Sequence, residues 1–379
     1  MCNNPKKLIL LMLAVPLFSI AHASEIVTIK LFDGELLTGK LSLPANDENI
    51  KELIIFVHGT GPGTYDDHRK LGNFEFNYFD LFANEFNKRG IAFFTWNRRG
   101  VSIGTRPPYY DSVDLVKYRK YLPSVEVKDI GTVINNLTKD RRLRHARVVL
   151  LGWSEGTILA AMAADEKKSR VDALLLAGYA NDNMFDIIKW QNSGEPSMLS
   201  IKKYFDVNAD GLISRQEYES AEKAPTALRT GAFKNARFEQ LDVNRDSVIS
   251  SDDFRLINSP RYTAIMDAYN RKDGDWIWNN YFRITIDWLT EHYNLEANKT
   301  RLPRLKIPIY IFQGEDDANA SVKGVYEIQT IFQEKQKSNL QCFVFKGHNH
   351  DLNYMDYPTK KTIPEGIQKI FDIAGELNN

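Results

Sequence analysis

Gly152-Trp153-Ser154-Glu155-Gly156 is the segment whose residue types and spacing are most plainly suited to chemistry. The apolar run Val148–Leu151 precedes it and a helix-like stretch rich in small residues, 155–164, follows it. A strand that turns sharply into a helix needs glycine where a Cβ would clash. Such a turn lifts the serine hydroxyl above the end of the strand and leaves the N–H of the next residue, Glu155, free to face a substrate carbonyl. A serine so placed can attack an acyl carbon, provided a neutral imidazole takes its proton and a carboxylate orients that imidazole. The plainer alternative is a glycine-rich packing turn with an incidental serine.

Candidate acids and bases stand at the ends of two later apolar runs. Gln313-Gly314-Glu315-Asp316-Asp317 follows Pro308–Phe312, and Lys346-Gly347-His348-Asn349-His350-Asp351 follows Gln341–Phe345. Of seven histidines, only His348 and His350 lie beyond that acidic cluster. Spacing alone leaves Asp316 and Asp317, and His348 and His350, as rivals. Upstream, His58-Gly59-Thr60-Gly61-Pro62-Gly63 follows the apolar run Leu53–Val57. Amide groups presented by such a loop stabilise a developing oxyanion by a few kcal/mol each. His58 reads as a loop-orienting residue.

The elements that must hold these groups alternate. Residues 25–43 read as two strands joined at Asp33-Gly34, a hairpin signal. Strands are expected at Leu53–Val57, Ile91–Trp96, Val148–Leu151 and Ala173–Ala177, with helices over 74–89, 124–138 and 155–164. The rhythm stops near Tyr179 and resumes near Arg304, with strands at Ile307–Phe312 and Gln341–Phe345 and helices at Lys323–Phe332 and Ile363–Ala374. Strand and helix in alternation imply an α/β fold with a mostly parallel sheet and helices on both faces. The division expected is a leader over 1–23, a core over 24–178 and 305–379, and a helical cap over 179–304.

Inside that cap, Asp206-Val207-Asn208-Ala209-Asp210-Gly211-Leu212-Ile213-Ser214-Arg215-Gln216-Glu217 has the spacing of an EF-hand calcium loop. Oxygen donors fall at positions 1, 3, 5 and 12, with the Leu212 carbonyl at position 7, and Gly211 and Ile213 stand at the turn and at position 8. A second loop starts at Asp242, with Asn244, Asp246, the Val248 carbonyl and Asp253 as donors. There Ser247 replaces the turn glycine, and Asp253 is shorter than the glutamate that closes the shell, so weaker binding is expected. Ile213 and Ile249 should pair across a short two-stranded contact within a paired-hand unit of about 195–257. Calcium is the one cofactor expected, as a staple for the cap rather than a switch. The aromatics Tyr262, Tyr269, Trp276, Trp278, Tyr281, Phe282, Trp288 and Tyr293 either line a pocket or pack the cap onto the core.

Bulk properties exclude other classes. Lys plus Arg equals Asp plus Glu at 49 each, so nothing points to nucleic acid or an anionic membrane. Lys6-Lys7, the apolar run Leu8–Ile20 and Ala21-His22-Ala23 read as a signal peptide cleaved before Ser24. The run is short for a bilayer span and contains Pro16, so no stable membrane insertion is expected after cleavage. Cys2 leaves with the leader and Cys342 alone remains, which excludes an intramolecular disulfide and suits a bacterial periplasm or secretion.

Together the three catalytic segments resemble the α/β-hydrolase superfamily, in particular bacterial exported esterases and serine aminopeptidase-like hydrolases. His58-Gly59-Thr60-Gly61-Pro62, Asn97-Arg98-Arg99-Gly100 and Gly152-Trp153-Ser154-Glu155-Gly156 correspond to its HGSGP-type loop, D-x-R-G turn and G-H-S-E-G elbow. Trp153 and Asn97 depart from the usual His and Asp. The resemblance covers about 25–178 and 305–379. It implies Asp317, three residues after Gly314, as the acid and His350, three after Gly347, as the base. It also implies an oxyanion hole from the amides of Thr60 and Glu155. The expected activity is cleavage of a carboxylic ester or related acyl bond in a small molecule. A peptidase of the same fold acting on a short peptide, and a non-catalytic calcium-dependent binding protein, are the alternatives.

Overall fold

The computed structural model describes residues 23–46, 48–221 and 228–378. The leader expectation falls on residues 1–22, outside the described residues. Among the described residues no helix is long and apolar enough to cross a membrane.

Eight strands form one sheet: β1 (Ala23–Lys30), β2 (Leu36–Leu43), β3 (Glu52–Val57), β4 (Ala92–Trp96), β5 (Arg147–Trp153), β6 (Ala173–Ala177), β7 (Ile309–Gly314) and β8 (Leu340–Phe345). Their spatial order is β1-β2-β4-β3-β5-β6-β7-β8. β1 pairs with β2, and β2 with β4, antiparallel; every later pair is parallel. β3, β4 and β6 are buried along their whole length. That is why they read as continuous apolar runs rather than alternating ones: helices cover both faces of a parallel sheet.

Helices α1 (Tyr78–Lys88), α2 (Pro123–Leu137) and α3 (Glu155–Glu166) lie in the first half of the chain. Between β6 and β7 come α4 (Met184–Gln191), α5 (Glu195–Phe205), α6 (Ser251–Asn270), α7 (Gly274–Asn280) and α8 (Ile286–Asn294). The last two are α9 (Lys323–Glu334) and α10 (Glu365–Asn378). One core packs α2, α3 and α9 on one face of the sheet, and a second packs α1 and α10 on the other. A third, with Phe205, Ile213, Tyr218, Phe238, Ile249 and Phe254, closes the segment between α5 and α6 on itself.

One expectation needs correction. The helix expected over 74–89 begins only at Tyr78, because Phe74–Asn77 pairs as a strand with His68–Leu71. Phe74-Glu75-Phe76 alternates with period two, and Gly72 at φ +60° makes the turn before it. The apolar set Phe79, Leu81, Phe82 and Phe86 is buried as the helical spacing implied. A second small hairpin, Val101–Ile103 with Asp111–Val113, was not expected at all.

Candidate active site

The turn between β5 and α3 holds Ser154 at φ +55°, ψ −121°, a backbone conformation that costs a non-glycine residue on the order of 1–3 kcal/mol. Surrounding bonds over-determine it. The Ser154 N–H donates to the Ala177 carbonyl at 2.9 Å, and the Thr157 hydroxyl donates to the Ser154 carbonyl at 2.7 Å. A Cβ on Gly152 would strike the Gly156 carbonyl, and one on Gly156 would strike the Val57 carbonyl. Both glycines are thus required by the close approach of the turn to itself and to the end of β3.

Asp317 and His350 meet beside it. Asp317 is fully buried, and its carboxylate accepts four hydrogen bonds. Asn319 N–H (2.7 Å) and Ala320 N–H (2.9 Å) reach Oδ1; the Gln313 amide (2.7 Å) and the His350 ring (2.8 Å) reach Oδ2. Since a carboxylate only accepts, His350 Nδ1 carries the proton and Nε2 is left for other work. Burial depresses the imidazole pKa, but the Asp317 charge and hydrogen bond, with Asp351 behind them, outweigh burial and raise it to about 9. The rivals are used elsewhere. Asp316 pairs with Lys202 of α5 at 3.3 Å, and His348 packs against Phe345 and the start of α10.

His58 is neutral and structural. Its Nε2–H donates to the Trp96 carbonyl at 2.7 Å, and burial, with the Arg98 charge adding to it, pulls its pKa down to about 3. The loop that follows is held from beneath by Arg98, which donates to the carbonyls of Gly59 (2.7 Å), Gly61 (2.6 Å) and His58 (3.1 Å). In a trans peptide C=O and N–H point opposite ways. A Gly59 carbonyl drawn to Arg98 therefore turns the Thr60 N–H away from Arg98.

A cavity of about 390 Å³ is lined by Thr60, Ser154, Glu155 and His350 together. Its floor is aromatic, with Phe56, Phe79 and Trp153, and Tyr78 stacked on Tyr354 at 4.0 Å. The segment between β6 and β7 contributes Ala180, Met184, Ile187, Gln191, Tyr281, Phe282 and Trp288, none of them charged. Tyr262, Tyr269, Trp276, Trp278 and Tyr293 pack on the main core instead. The aromatics of this segment therefore divide between lining the cavity and packing on the core.

Sequence reasoning assigned Glu155 only its amide. The structure buries its carboxylate as the centre of a network. Trp288 Nε1–H and His292 Nε2, both of α8, bond Oε1 at 2.8 Å each, and the Tyr121 hydroxyl donates to Oε2. Burial works to raise the Glu155 pKa, but the His292 bond and the Arg98 charge hold it below the ordinary value. Arg98 is itself clamped by Glu126 at 2.8 and 2.9 Å and stacked over the Tyr121 ring at 4.0 Å. The only signals in sequence were a glutamate at the elbow and the i, i+4 spacing of Trp288 and His292.

The two acidic loops adopt one pattern twice. Ile213 pairs with Ile249, and Ser214 with Val248. Gly211 turns at φ +85°, and Ser247 makes the same turn at φ +75° despite its side chain. Glu217 accepts from the N–H groups of Val207, Asn208 and Ser214, and Asp253 accepts from those of Val243, Asn244 and Ser250. Asp206 Oδ1 is buried with no hydrogen-bond partner, an oxygen suited to a cation. Among the described residues no group of three or more His, Cys, Asp and Glu side chains converges as a metal cluster. The donor chemistry fits calcium, whose shell also draws on Asn side chains and carbonyls. The inward carboxylates are meanwhile occupied by the loops' own N–H groups.

Residues 52–356 match the family model described as the alpha/beta hydrolase fold. Solved structures share the architecture at low identity. A thermostable carboxyl esterase from Bacillus coagulans is 14% identical, with 94% of this chain and 99% of that chain covered and a TM-score of 0.53. A proline iminopeptidase from Mycobacterium smegmatis is 15% identical, with 93% and 97% covered and a TM-score of 0.51. Dipeptidyl peptidase 4 from Porphyromonas gingivalis is 10% identical, with 94% of this chain but 35% of that chain covered, at a TM-score of 0.50. No curated protein matches the sequence. With the strand order and the serine turn already described, the family match covers most of the chain, which therefore belongs to the α/β-hydrolase fold family.

Proposed function

We propose that the protein is a serine hydrolase that cleaves a carboxylic ester or related acyl bond, with residues 179–304 as a cap over its cavity. The observation that carries this reading is His350, bonded to the buried Asp317 at 2.8 Å and lining one cavity with a serine on a strained turn. Ser154 Oγ attacks the acyl carbon while His350 Nε2 takes its proton. Asp317 holds the ring by Nδ1–H and balances the imidazolium that forms. The amides of Thr60 and Glu155 receive the oxyanion. His350 then returns the proton to the leaving oxygen, and water, activated by the same ring, releases the acyl group. Residues 179–304 line the cavity with uncharged side chains, which suits an ester; Asp67 and Asp351 line the same cavity and could meet a peptide amino terminus, which keeps a peptidase as the second reading.

Labelling with a fluorophosphonate tests the reading. Wild type should label and Ser154→Ala should not; a wild type that never labels would sink it and promote the binding-protein alternative.

We infer, further, that the loops hold calcium, with Asp206, Asn208, Asp210, Glu217 and the Leu212 carbonyl at the stronger site. The weaker site uses Asp242, Asn244, Asp246, Asp253 and the Val248 carbonyl. When bound, calcium supplies a cross-link between the ends of each loop, and so a staple for the third core. Calcium should raise the melting temperature, and Glu217→Gln should remove more of that rise than Asp253→Asn. Equal losses would contradict the ranking. The amino-terminal leader supports export to the periplasm or medium, which a mature protein beginning at Ser24 by mass would bear out.

A further inference from the structure

The Glu155 side chain does more than seal a core. Its carboxylate touches three donors from two directions: Tyr121 from the core, and Trp288 and His292 from α8 of the cap. It also lies 4.0 Å from the guanidinium of Arg98. Arg98 in turn holds three carbonyls of the loop that bears Thr60, those of His58, Gly59 and Gly61. One buried chain of contacts therefore runs from the cap wall, through the residue next to the nucleophile, to the oxyanion loop. Each link is fully or almost fully buried: the Arg98 and Glu155 side chains are 1% and 0% exposed. Water can replace none of the bonds, so a lost partner leaves an orphaned polar group.

We propose that the Glu155 carboxylate is a positioning residue for acyl transfer. With Arg98 it fixes the oxyanion loop and the Trp288 wall in one register around Ser154. The inference rests on the hydrolase reading above, and it goes beyond that reading by assigning work to a side chain that touches no substrate. Gln in place of Glu155 keeps the volume but presents one acceptor and one NH₂ to donors on both sides, so at least one bond is opposed. The oxyanion exists only in the transition state, so a loop out of register lowers kcat and leaves KM nearly alone. Trp288 lines the cavity directly, so replacing its indole reshapes the wall itself and moves KM instead.

The test is steady-state ester hydrolysis by the full chain carrying Glu155→Gln, Arg98→Lys, both together, and Trp288→Phe, each with its melting temperature. The expected result is a kcat loss of about 10- to 100-fold for Glu155→Gln with KM within twofold, on the scale of a weakened oxyanion donor. The double variant should lose little more than the worse single one, because the two act as a unit. Trp288→Phe should raise KM several-fold while kcat holds. A folded Glu155→Gln enzyme with unchanged kcat, or fully multiplicative losses in the double variant, would overturn the proposal. If Glu155→Gln does not fold, Tyr121→Phe removes one donor and keeps the carboxylate; it should show the same kcat loss, and wild-type kcat there would equally overturn the proposal. Fluorophosphonate labelling that survives Ser154→Ala would instead overturn the hydrolase reading, so the two failures are distinguishable.

Discussion

The two ends of the sheet each bury a carboxyl group, and they treat it in opposite ways. Asp317, past the carboxyl end of β7, is fully buried and accepts four hydrogen bonds, two from backbone N–H groups. Glu52, at the amino end of β3, is equally buried, and both its oxygens lack a hydrogen-bond partner. Burial raises its pKa to about 8, with Arg147 opposing only in part. Desolvation is common to both; the convergent donors are not. The lesson is that a buried charge survives where loops leaving several strand ends fold back with their amides and side chains. In this molecule that happens at the end where Ser154 sits. Glu155 belongs with Asp317: it is buried, has three donors, and its pKa is held below its ordinary value.

The largest effect expected from breaking that contrast is at Asp317. Asp317→Asn should lower kcat by about 10⁴, as loss of the orienting carboxylate does in triads generally. The pH profile should move with it. The base works only when neutral, so kcat/KM in wild type should rise with pH along a limb displaced above the ordinary imidazole value of 6.5, toward about 9. In Asp317→Asn that limb should fall back toward 6.5. An unmoved limb would mean that Asp317 does not tune His350. Stability runs the other way. His350 gains its proton more readily folded than unfolded, so its contribution is present below pH 6.5 and is lost as pH rises through about 9.

A smaller effect is expected at Glu52. Its folded pKa of about 8 lies above the unfolded value of 4.5, so the folded state holds a proton the unfolded one has released. Below pH 4.5 both states are protonated and the group adds no pH dependence; stability drains away as pH rises from there through about 8. Glu52→Gln removes that drain, so its melting temperature should gain on wild type between pH 4 and pH 9, by on the order of a few kcal/mol of stability. The buried amide shifts both ends of the comparison alike, so the slope carries the answer. Parallel melting curves across pH would show that Glu52 finds a partner after all.

Much of this was legible in the chain. The strands read true because both-sided burial writes continuous apolar runs, as at Ala173–Ala177. Although Gly156 answers the distant end of β3, the serine turn was legible because Gly152 answers a collision inside the five-residue motif. The acidic loops were legible for the same reason: their bonds span ten residues or fewer, as from Val207 to Glu217. The start of α1 was misread because Phe76, three residues before Phe79, extends a helical spacing while Phe74-Glu75-Phe76 also alternates as a strand.

By itself, then, the sequence determined the alternation of strands and helices, the glycine-flanked serine turn and the form of the two loops, patterns written mostly by neighbours in the chain. Spacing alone left Asp316 beside Asp317 and His348 beside His350, with only the resemblance favouring Asp317 and His350, because neighbours on one loop differ in direction, not in composition. Only the tertiary structure brought Asp317 to His350 across 33 residues and Glu155 to His292 across 137. No local pattern records such meetings, since the strand order that creates them is fixed by packing the whole core at once.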